Sequence, residues 1–151
     1  SIPHVVIDHR GKKRVDFDME VHKVLLDSDV DLIVLAGFMR ILSGEFVEKW
    51  KNKIVNIHPA LLPSFPGAHA HRDVLEYGAK VSGLTIHFVD EEMDHGPIIF
   101  QIPVEVKDND TEETLGSRVL KMEHVWFPKI IDRIVNGAYR LEGRKVIEEQ
   151  H

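Results

Sequence analysis

Three side chains able to take part in acid–base chemistry follow apolar runs in this sequence. The segment IVNIHPALLPSFPGAHAH (residues 54–71) passes from a short apolar run to Asn56 and His58, then through three prolines to two further histidines. Asp94 lies in a later acidic segment, DEEMDHGP. An amide N–H and an imidazolium can stabilise the oxyanion that forms when an amine attacks a carbonyl carbon. A carboxylate beside the imidazole favours the charged ring and can collect the proton that the amine loses. Together these residues indicate acyl transfer to an amine.

The sequence favours direct transfer over a covalent intermediate. It contains no cysteine, and no serine stands in a recognisable nucleophile motif. Each candidate also has a purely structural interpretation: Asn56 as a turn residue, His58 as a loop histidine, Asp94 as a turn former and Arg40 as a surface charge. Their grouping at one edge of a sheet favours a functional site.

A metal site is the alternative that the histidines raise. His69 and His71 form a His-x-His pair, and His87 or His95 would have to supply a third ligand. Two ligands do not make a site, and no full ligand set is present. We therefore predict that no metal is bound. His87 shares a strand face with Thr85, and we expect that face to look into the pocket.

The elements that position these residues are predicted to form an α/β fold. In the first half, strands are predicted over 2–8, 31–37 and 53–57, and helices over 17–27 and 44–50. Asp16 is the expected N-cap of the first helix, and the apolar run 31–37 is expected to be covered on both faces. Alternating strands and helices predict a mostly parallel sheet with flanking helices.

The second half predicts antiparallel structure. Helix 71–78 should end at Gly78, and strands 81–89 and 98–106 should form a hairpin with a long loop. A long helix over 110–137, with Asp110 and Glu113 as a capping box and a kink at Pro128, should end at Gly137. A small terminal hairpin should follow. In open α/β sheets, ligands bind beyond the carboxyl ends of the strands, so we expect Arg40, Asn56, His58 and Asp94 to converge there.

Composition narrows the class of protein. The chain has 151 residues, which suits one domain, and a formal net charge of −6, which argues against a nucleic-acid surface. No apolar run is long enough to cross a bilayer and no leader is visible, so a cytoplasmic protein is expected.

Four segments carry a resemblance to a known family: LAGFMRILS, NIHPALLPSFPG, HFVDEEMDHGPII and RVLKMEH. They are similar to the phosphoribosylglycinamide formyltransferases, the folate-dependent glycinamide ribonucleotide transformylases of purine synthesis. The resemblance implies a Rossmann-like formyltransferase fold whose carboxyl-terminal part is antiparallel. It also implies that the partners are the small molecules glycinamide ribonucleotide and a folate, with neither nucleic acid nor membrane, and it leaves a homodimer open.

The resemblance also implies roles for particular residues. His58 would act as an acid toward the formyl oxygen, Asn56 would steady that oxygen, and Asp94 would tune His58. The formyl donor would be 10-formyltetrahydrofolate. Its implied contacts are Arg14, Met39, Arg40, Ile41, Leu42, Asn56, Asp90, Glu91, Glu92, Met93 and Asp94. The implied contacts of glycinamide ribonucleotide are Leu120, Lys121, Met122 and Glu123.

The sequence departs from the family pattern in two places. Family members often have a polar side chain where Leu120 stands. The family also opens with a strand and a glycine-rich phosphate loop, which this sequence lacks. We therefore expect residues 1–151 to be a single formyltransferase domain that is incomplete at its amino end, and inactive without the missing segment.

Three rival functions remain. A 10-formyltetrahydrofolate hydrolase would use the same residues with water as acceptor. A methionyl-tRNA formyltransferase fits the negative charge poorly. A non-catalytic folate-binding module would keep the pocket and tolerate the loss of His58.

Overall fold

The structure is a computed structural model that describes residues 2–149. In chain order its elements are α1 (Arg14–Asp27), β1 (Ile33–Val34), α2 (Gly44–Lys49), β2 (Ile54–His58), α3 (Ala70–Tyr77), β3 (Val81–Phe88), β4 (Ile98–Glu105), α4 (Glu112–Val135), β5 (Tyr139–Glu142) and β6 (Lys145–Glu148).

Strands β1 to β4 form one sheet in that order, and β5 and β6 form a separate hairpin. Strands β1 and β2 pair in parallel, whereas β2 with β3 and β3 with β4 pair antiparallel. The predicted α/β class, with a sheet that changes from parallel to antiparallel pairing, is therefore confirmed. The predicted hairpin of β3 and β4 and the terminal hairpin are confirmed as well.

The register of β2 and β3 sorts polar and apolar side chains onto opposite faces of the sheet. Asn56 pairs with His87, and His58 pairs with Thr85. Cross-strand partners and alternate residues of one strand point to the same side, so these four polar side chains share one face. We call this the polar face.

The opposite face carries the main apolar core, which α3 and α4 cover. Each side chain fully buried there stabilises the fold by roughly 1.5–3 kcal/mol relative to an exposed one. The buried members of this core are Val55, Val74, Leu84, Ile86, Phe88, Val104, Leu115, Val119 and Ile130. The alternation of apolar residues along β2 and β3 thus leaves the other face available for a site.

Helices α1 and α2 pack together at the β1 side of the sheet. Phe46, Val47, Trp50 and Ile54 form a second buried cluster, against which partly buried residues of α1 pack. Trp50 Nε1 donates a hydrogen bond to His22 Nδ1 at 2.9 Å, which fixes one contact between the two helices. The segment that follows β1 packs against this cluster and leads toward the polar face.

Two strand predictions are wrong. The structure has no strand over residues 2–8, where Ile2 and Val6 are 87% and 90% exposed. Apolar alternation gives a strand only when a neighbouring strand accepts its backbone hydrogen bonds, and none does so here within residues 2–149. Strand β1 spans only two residues of the run 31–37, lies at the sheet edge, and leaves Val34 38% exposed rather than covered on both faces.

Two capping predictions are also wrong. Helix α1 begins at Arg14, so Asp16 lies inside its first turn rather than at the N-cap. The capping box of α4 consists of Thr111 and Thr114, because Asp110 is occupied by two hydrogen bonds from the Arg118 guanidinium, at 2.7 and 2.9 Å. These bonds hold the pKa of Asp110 well below its ordinary value.

The predicted helix ends are confirmed. Gly78 (φ +81°) ends α3, and Gly137 (φ +73°) follows the end of α4 in the left-handed conformation that glycine tolerates best. Helix α4 continues through Pro128. Within residues 2–149, no helix combines the length and the apolar character that crossing a lipid bilayer requires.

Candidate active site

A cleft of about 290 Å³ lies against the polar face of the sheet. Its walls come from the segment after β1, the end of β2, the following loop, β3 and the acidic loop between β3 and β4. The lining residues are Leu35, Gly37, Phe38, Met39, Arg40, Ile41, Leu42, Asn56, Ile57, His58, Pro59, Gly67, Ala68, His87, Val89, Asp90, Glu91, Glu92, Met93 and Asp94.

The cleft is lined by all four residues that were predicted to converge: Arg40, Asn56, His58 and Asp94. The route that brings Asp94 there differs from the prediction. Strand β3 runs antiparallel to β2, with Phe88 opposite Val55. The carboxyl end of β3 therefore lies beside the amino end of β2, not beside His58. The acidic loop must extend back along β2 by about 10 Å, three residues of strand, to bring Asp94 to His58.

The imidazole of His58 is held between a backbone carbonyl and a carboxylate. The residue is 4% exposed, and its Nε2 lies 2.8 Å from the carbonyl oxygen of Phe65. A carbonyl oxygen only accepts hydrogen bonds, so Nε2 must carry a proton. The other nitrogen, Nδ1, lies 3.5 Å from Asp94 Oδ2. Only Nδ1 can therefore exchange a proton with a bound molecule.

The carboxylate of Asp94 is held by the loop that follows β2. The backbone N–H of Gly67 donates to Asp94 Oδ2 at 2.8 Å. Asp94 itself has φ +51°, in the left-handed region that aspartate tolerates better than most residues. One loop thus supplies the Phe65 carbonyl to His58 and the Gly67 amide to Asp94, and it fixes the two side chains relative to each other.

His87 brings an unpartnered nitrogen to the cleft. The residue is 1% exposed, and its Nδ1 donates to the Phe88 carbonyl oxygen at 2.8 Å. Burial lowers the pKa of the His87 imidazole, which favours the neutral ring, and Nε2 is then a hydrogen-bond acceptor. Within residues 2–149 this Nε2 has no hydrogen-bond partner. Of the strand face that was expected to look into the pocket, His87 lines the cleft, whereas Thr85 does not.

Arg40 supplies a cation to one wall of the cleft. Its guanidinium carbon lies 4.4 Å from the centroid of the Phe17 ring, and its Nε is buried without a partner in the described part of the chain. The opposite wall is acidic. There Asp90 accepts hydrogen bonds from His95 Nδ1 at 2.7 Å and from the Glu92 backbone N–H at 2.9 Å, which hold the acidic loop in shape.

Five of the predicted binding residues do not line this cleft. Arg14 is exposed at the start of α1. On α4, Leu120 is 47% exposed, Lys121 is exposed, and Met122 packs against the main apolar core. Glu123 is half-buried, and this burial raises the pKa of its carboxyl. Their binding roles stay predictions.

His69 and His71 lie outside the cleft. His69 is exposed just before α3, whereas His71 is half-buried against Gly116 of α4, and burial lowers the pKa of its imidazole. Among the described residues, no three His, Asp or Glu side chains are grouped so that they could hold a metal ion.

Sequence reasoning missed the groups that hold the candidate residues in place. The Phe65 carbonyl and the Gly67 amide are backbone groups, which residue type does not identify. The alternation along the strand predicts the correct face for Thr85, but it does not indicate the contacts of Thr85 with the loop after β2. The only available signal was the spacing of polar residues along β3, which matches that along β2.

Comparison with known proteins gives a consistent result. Residues 1–131 match the family model described as formyl transferase. The chain is 55% identical over 142 residues to the trifunctional purine biosynthetic protein adenosine-3 of Gallus gallus, covering 93% of this chain and 14% of that protein. It is 41% identical over 124 residues to phosphoribosylglycinamide formyltransferase of Bacillus subtilis (strain 168), covering 82% of this chain and 64% of that one.

A solved structure agrees with both. The crystal structure of glycinamide ribonucleotide transformylase 1 from Symbiobacterium toebii matches with a TM-score of 0.89 and 43% identity, over 91% of this chain and 65% of that chain. The chain thus spans about one seventh of the trifunctional relative and just under two thirds of the bacterial ones.

Proposed function

The chain belongs to the formyl transferase family, and on that premise we propose that it transfers a formyl group from 10-formyltetrahydrofolate to the amino group of glycinamide ribonucleotide, in purine biosynthesis. The observation that carries the proposal is the pair of His58 Nδ1 and Asp94 Oδ2, 3.5 Å apart in a cleft that Asn56 also lines. The names of the relatives support the same substrates. Action in the cytoplasm stays a prediction.

The reaction needs one bond formed, one bond broken and one proton moved. The amine nitrogen attacks the formyl carbon, and the carbonyl oxygen gains negative charge. The bond between the formyl carbon and the folate nitrogen then breaks, and the proton lost by the amine ends on that nitrogen. The step requires no oxidant, metal or covalent enzyme intermediate.

His58 is the proposed hydrogen-bond donor to the developing oxyanion. As a donor to the oxyanion it must be the doubly protonated ring, with Nε2–H on the Phe65 carbonyl oxygen and Nδ1–H on the side of Asp94. The Gly67 N–H donates to the same Asp94 oxygen and holds the carboxylate in place beside Nδ1. A positioned donor of this kind, together with the Asn56 amide, acts on the oxyanion without reorganisation during the reaction.

Asp94 is the proposed acceptor for the proton of the attacking amine. Its side chain is 11% exposed, so it borders the cleft while remaining shielded from bulk water. Because the carboxylate lies beside the imidazole, the proton can reach the folate nitrogen without leaving the cleft.

The remaining walls suit a reduced folate. Apolar side chains of the segment 37–42 and Met93 can cover the flat faces of a pterin, and backbone groups of the two loops can bind its polar edge. Arg40 offers an acceptor of the bound molecule its buried Nε, which has no partner among residues 2–149. We assign Glu123 and its neighbours on α4, together with Arg14, to more distant parts of the two substrates.

The experiment that tests this function compares two histidine substitutions. Formyl transfer is followed in a protein to which the expected amino-terminal phosphate-loop segment has been added, by the release of tetrahydrofolate with and without glycinamide ribonucleotide. Folate affinity is measured separately by calorimetry. His58→Gln should lower kcat by about 100-fold or more, the usual contribution of a positioned acid or base, and should change folate affinity by less than about threefold. His69→Gln, a matched change outside the cleft, should leave both unchanged.

Three results would contradict the proposal, and two of them identify a rival. Equal release of tetrahydrofolate without the nucleotide would indicate a hydrolase. Folate binding without turnover, unchanged in His58→Gln, would indicate a binding module. Turnover in His58→Gln equal to that of His69→Gln would remove His58 from the mechanism.

A further inference from the structure

Thr85 is the centre of a hydrogen-bond network on the polar face that the proposed mechanism does not use. The residue is fully buried, with 0% exposure. Its Oγ1 donates to the Ala60 carbonyl oxygen at 2.7 Å and accepts from the Leu62 N–H at 3.0 Å. Gln101 Nε2, from β4, donates to the same Oγ1 at 3.0 Å and to the Leu62 carbonyl oxygen at 2.9 Å. Strands β3 and β4 therefore hold the chain just after His58 at two positions, Ala60 and Leu62.

The held segment leads directly to the carbonyl that binds His58. Leu62 lies three residues before Phe65, and the Ser64 N–H donates to the Leu61 carbonyl oxygen at 3.0 Å, which closes a turn between them. Phe65 has φ +53°, and its ring contacts Tyr77 of α3 with centroids 5.7 Å apart. With the chain fixed on both sides, the Phe65 carbonyl oxygen has little freedom, and it lies 2.8 Å from His58 Nε2.

We propose that Thr85 is a positioning residue for His58: through Ala60 and Leu62 it holds the Phe65 carbonyl that keeps the proton on Nε2 and leaves Nδ1 to face Asp94. Gln101 supports Thr85 from the more exposed edge of the sheet, so its contribution is smaller. The inference rests on the proposed function for its effect on rate, but its effect on the His58 tautomer is independent of that function. In the neutral imidazole only one nitrogen carries the proton, and the bond made by one nitrogen decides the role of the other.

The test compares three substitutions in two measurements. Thr85→Val removes the hydroxyl and keeps the shape, Thr85→Ser keeps the hydroxyl, and Gln101→Leu removes only the outer donor. The first measurement is the ¹⁵N spectrum of labelled histidine at a pH where His58 is neutral, with the His58 signals identified by their loss in His58→Gln. The second is kcat and KM for formyl transfer.

Thr85→Val should change His58 from the Nε2–H tautomer alone to a mixture of both tautomers. It should lower kcat by about 10- to 100-fold, as is usual when a supporting hydrogen bond to an active-site histidine is lost, with KM for the folate within about threefold. Thr85→Ser should restore the single tautomer and most of the rate. Gln101→Leu should change the tautomer and kcat in the same direction as Thr85→Val, but less. The double variant Thr85→Val with Gln101→Leu should resemble Thr85→Val alone, because the two residues act in one network.

Each other outcome has a defined meaning. An unchanged tautomer and kcat in folded Thr85→Val would overturn the proposal, and so would an equal loss in Thr85→Ser. If Thr85→Val does not fold, Gln101→Leu decides: an unchanged tautomer there overturns the proposal. A changed tautomer in a protein whose wild type shows no formyl transfer, even with the expected amino-terminal segment added, would refute the proposed function and leave the positioning role of Thr85 supported.

Discussion

At the scale of single residues, the candidate site depends on backbone groups as much as on side chains. His58 and Asp94 are both polar and nearly buried, yet each has one nitrogen or oxygen committed to the backbone of the same loop. The committed bonds leave Nδ1 of His58 and the carboxylate of Asp94 facing each other. Neither residue type nor spacing determines this orientation.

Asp94→Asn tests the charge of the carboxylate apart from its shape. Asparagine tolerates φ +51° and keeps an oxygen that can accept from the Gly67 N–H, so the loop should be retained. Without the negative charge, proton transfer from the amine loses its acceptor, and kcat should fall by about 100- to 10,000-fold. Steady-state kinetics and the far-UV circular dichroism spectrum check the two halves of this prediction.

Asp108→Asn is the matched control, because Asp108 is almost fully exposed and pairs with Lys80 at the surface. Surface pairs of this kind contribute little, so its kinetics should equal those of the wild type. Equal activity in Asp94→Asn and Asp108→Asn would show that the carboxylate charge is not used.

At the scale of elements, the segment 59–67 explains why a strand runs into a loop with so many prolines. Pro59 lines the cleft, and the segment then passes over β3 and β4, where Thr85 holds it, before it contacts His58 and Asp94. A proline limits the conformations of the unfolded chain and so lowers the entropy lost when such a loop is ordered. The loop is therefore a structural part of the site as well as a connection.

The contact between α1 and α2 provides an element-scale prediction. Asp18 is 1% exposed, and its Oδ2 accepts from the backbone N–H of Ser43, at 2.7 Å, where α2 begins. Asp18→Ala would leave that N–H buried without a partner, so the free energy of unfolding should fall by about 2 kcal/mol. Asp18→Asn keeps an acceptor oxygen and should lose less than about half of that. Urea denaturation measures both.

Asp16→Ala, in the first turn of the same helix, is the control, because Asp16 is exposed. Its free energy of unfolding should change by less than about 0.5 kcal/mol, as is usual for exposed positions. If Asp16→Ala and Asp18→Ala were equally destabilised, the bond to Ser43 would not be the cause.

At the scale of the whole molecule, two buried histidines should make stability depend on pH. Burial lowers the pKa of both His87 and His71 below the ordinary 6.5. The unfolded chain therefore binds protons at a higher pH than the folded protein does, and stability is lost as pH falls below about 6.5. Glu123, whose pKa burial raises from 4.5, acts in the opposite direction as pH falls from its raised pKa toward 4.5. A comparison between two proteins that both keep Glu123 cancels its contribution.

His71→Gln isolates one part of this effect without touching the cleft. The wild type should be less stable at about pH 5.5 than at about pH 8, and His71→Gln should lose less stability over that interval. Urea denaturation at the two pH values gives the difference directly. His69→Gln, at an exposed position, should keep the pH dependence of the wild type. Identical pH dependence in all three proteins would show that His71 is not buried as a neutral ring.

The two faces of the four-stranded sheet provide, respectively, a core and a site. The period of two along β2 and β3 directs Val55, Leu84 and Ile86 to the helices and the polar residues to the opposite face. One face stabilises the fold through buried apolar area, and the other holds groups that would be costly to bury unpaired. Hydrogen bonds among the side chains of the polar face, and between them and the loops, offset most of the free energy that burying these groups would cost.

Several local elements and the identity of the candidate residues could be read from residue order alone. Gly78 and Gly137 indicated the helix ends, the run 81–89 with 98–106 indicated the hairpin, and the residues around Asn56 and His58 indicated the family. These features depend on neighbours close in the chain, where periodicity and backbone preference act directly.

Features that depend on groups far apart in the chain could be seen only in the folded protein. The run 2–8 has strand composition but pairs with no other strand in the described residues, and Asp110 binds Arg118 instead of capping α4. The sequence correctly indicated that Asp94 meets His58, but the antiparallel direction of β3 means that the acidic loop, not the strand end, brings it there. Likewise, Phe65, Gly67 and Thr85 act through hydrogen bonds to segments far along the chain. Such bonds form only when loops and strands have taken their relative positions, and those positions result from the packing of the whole chain.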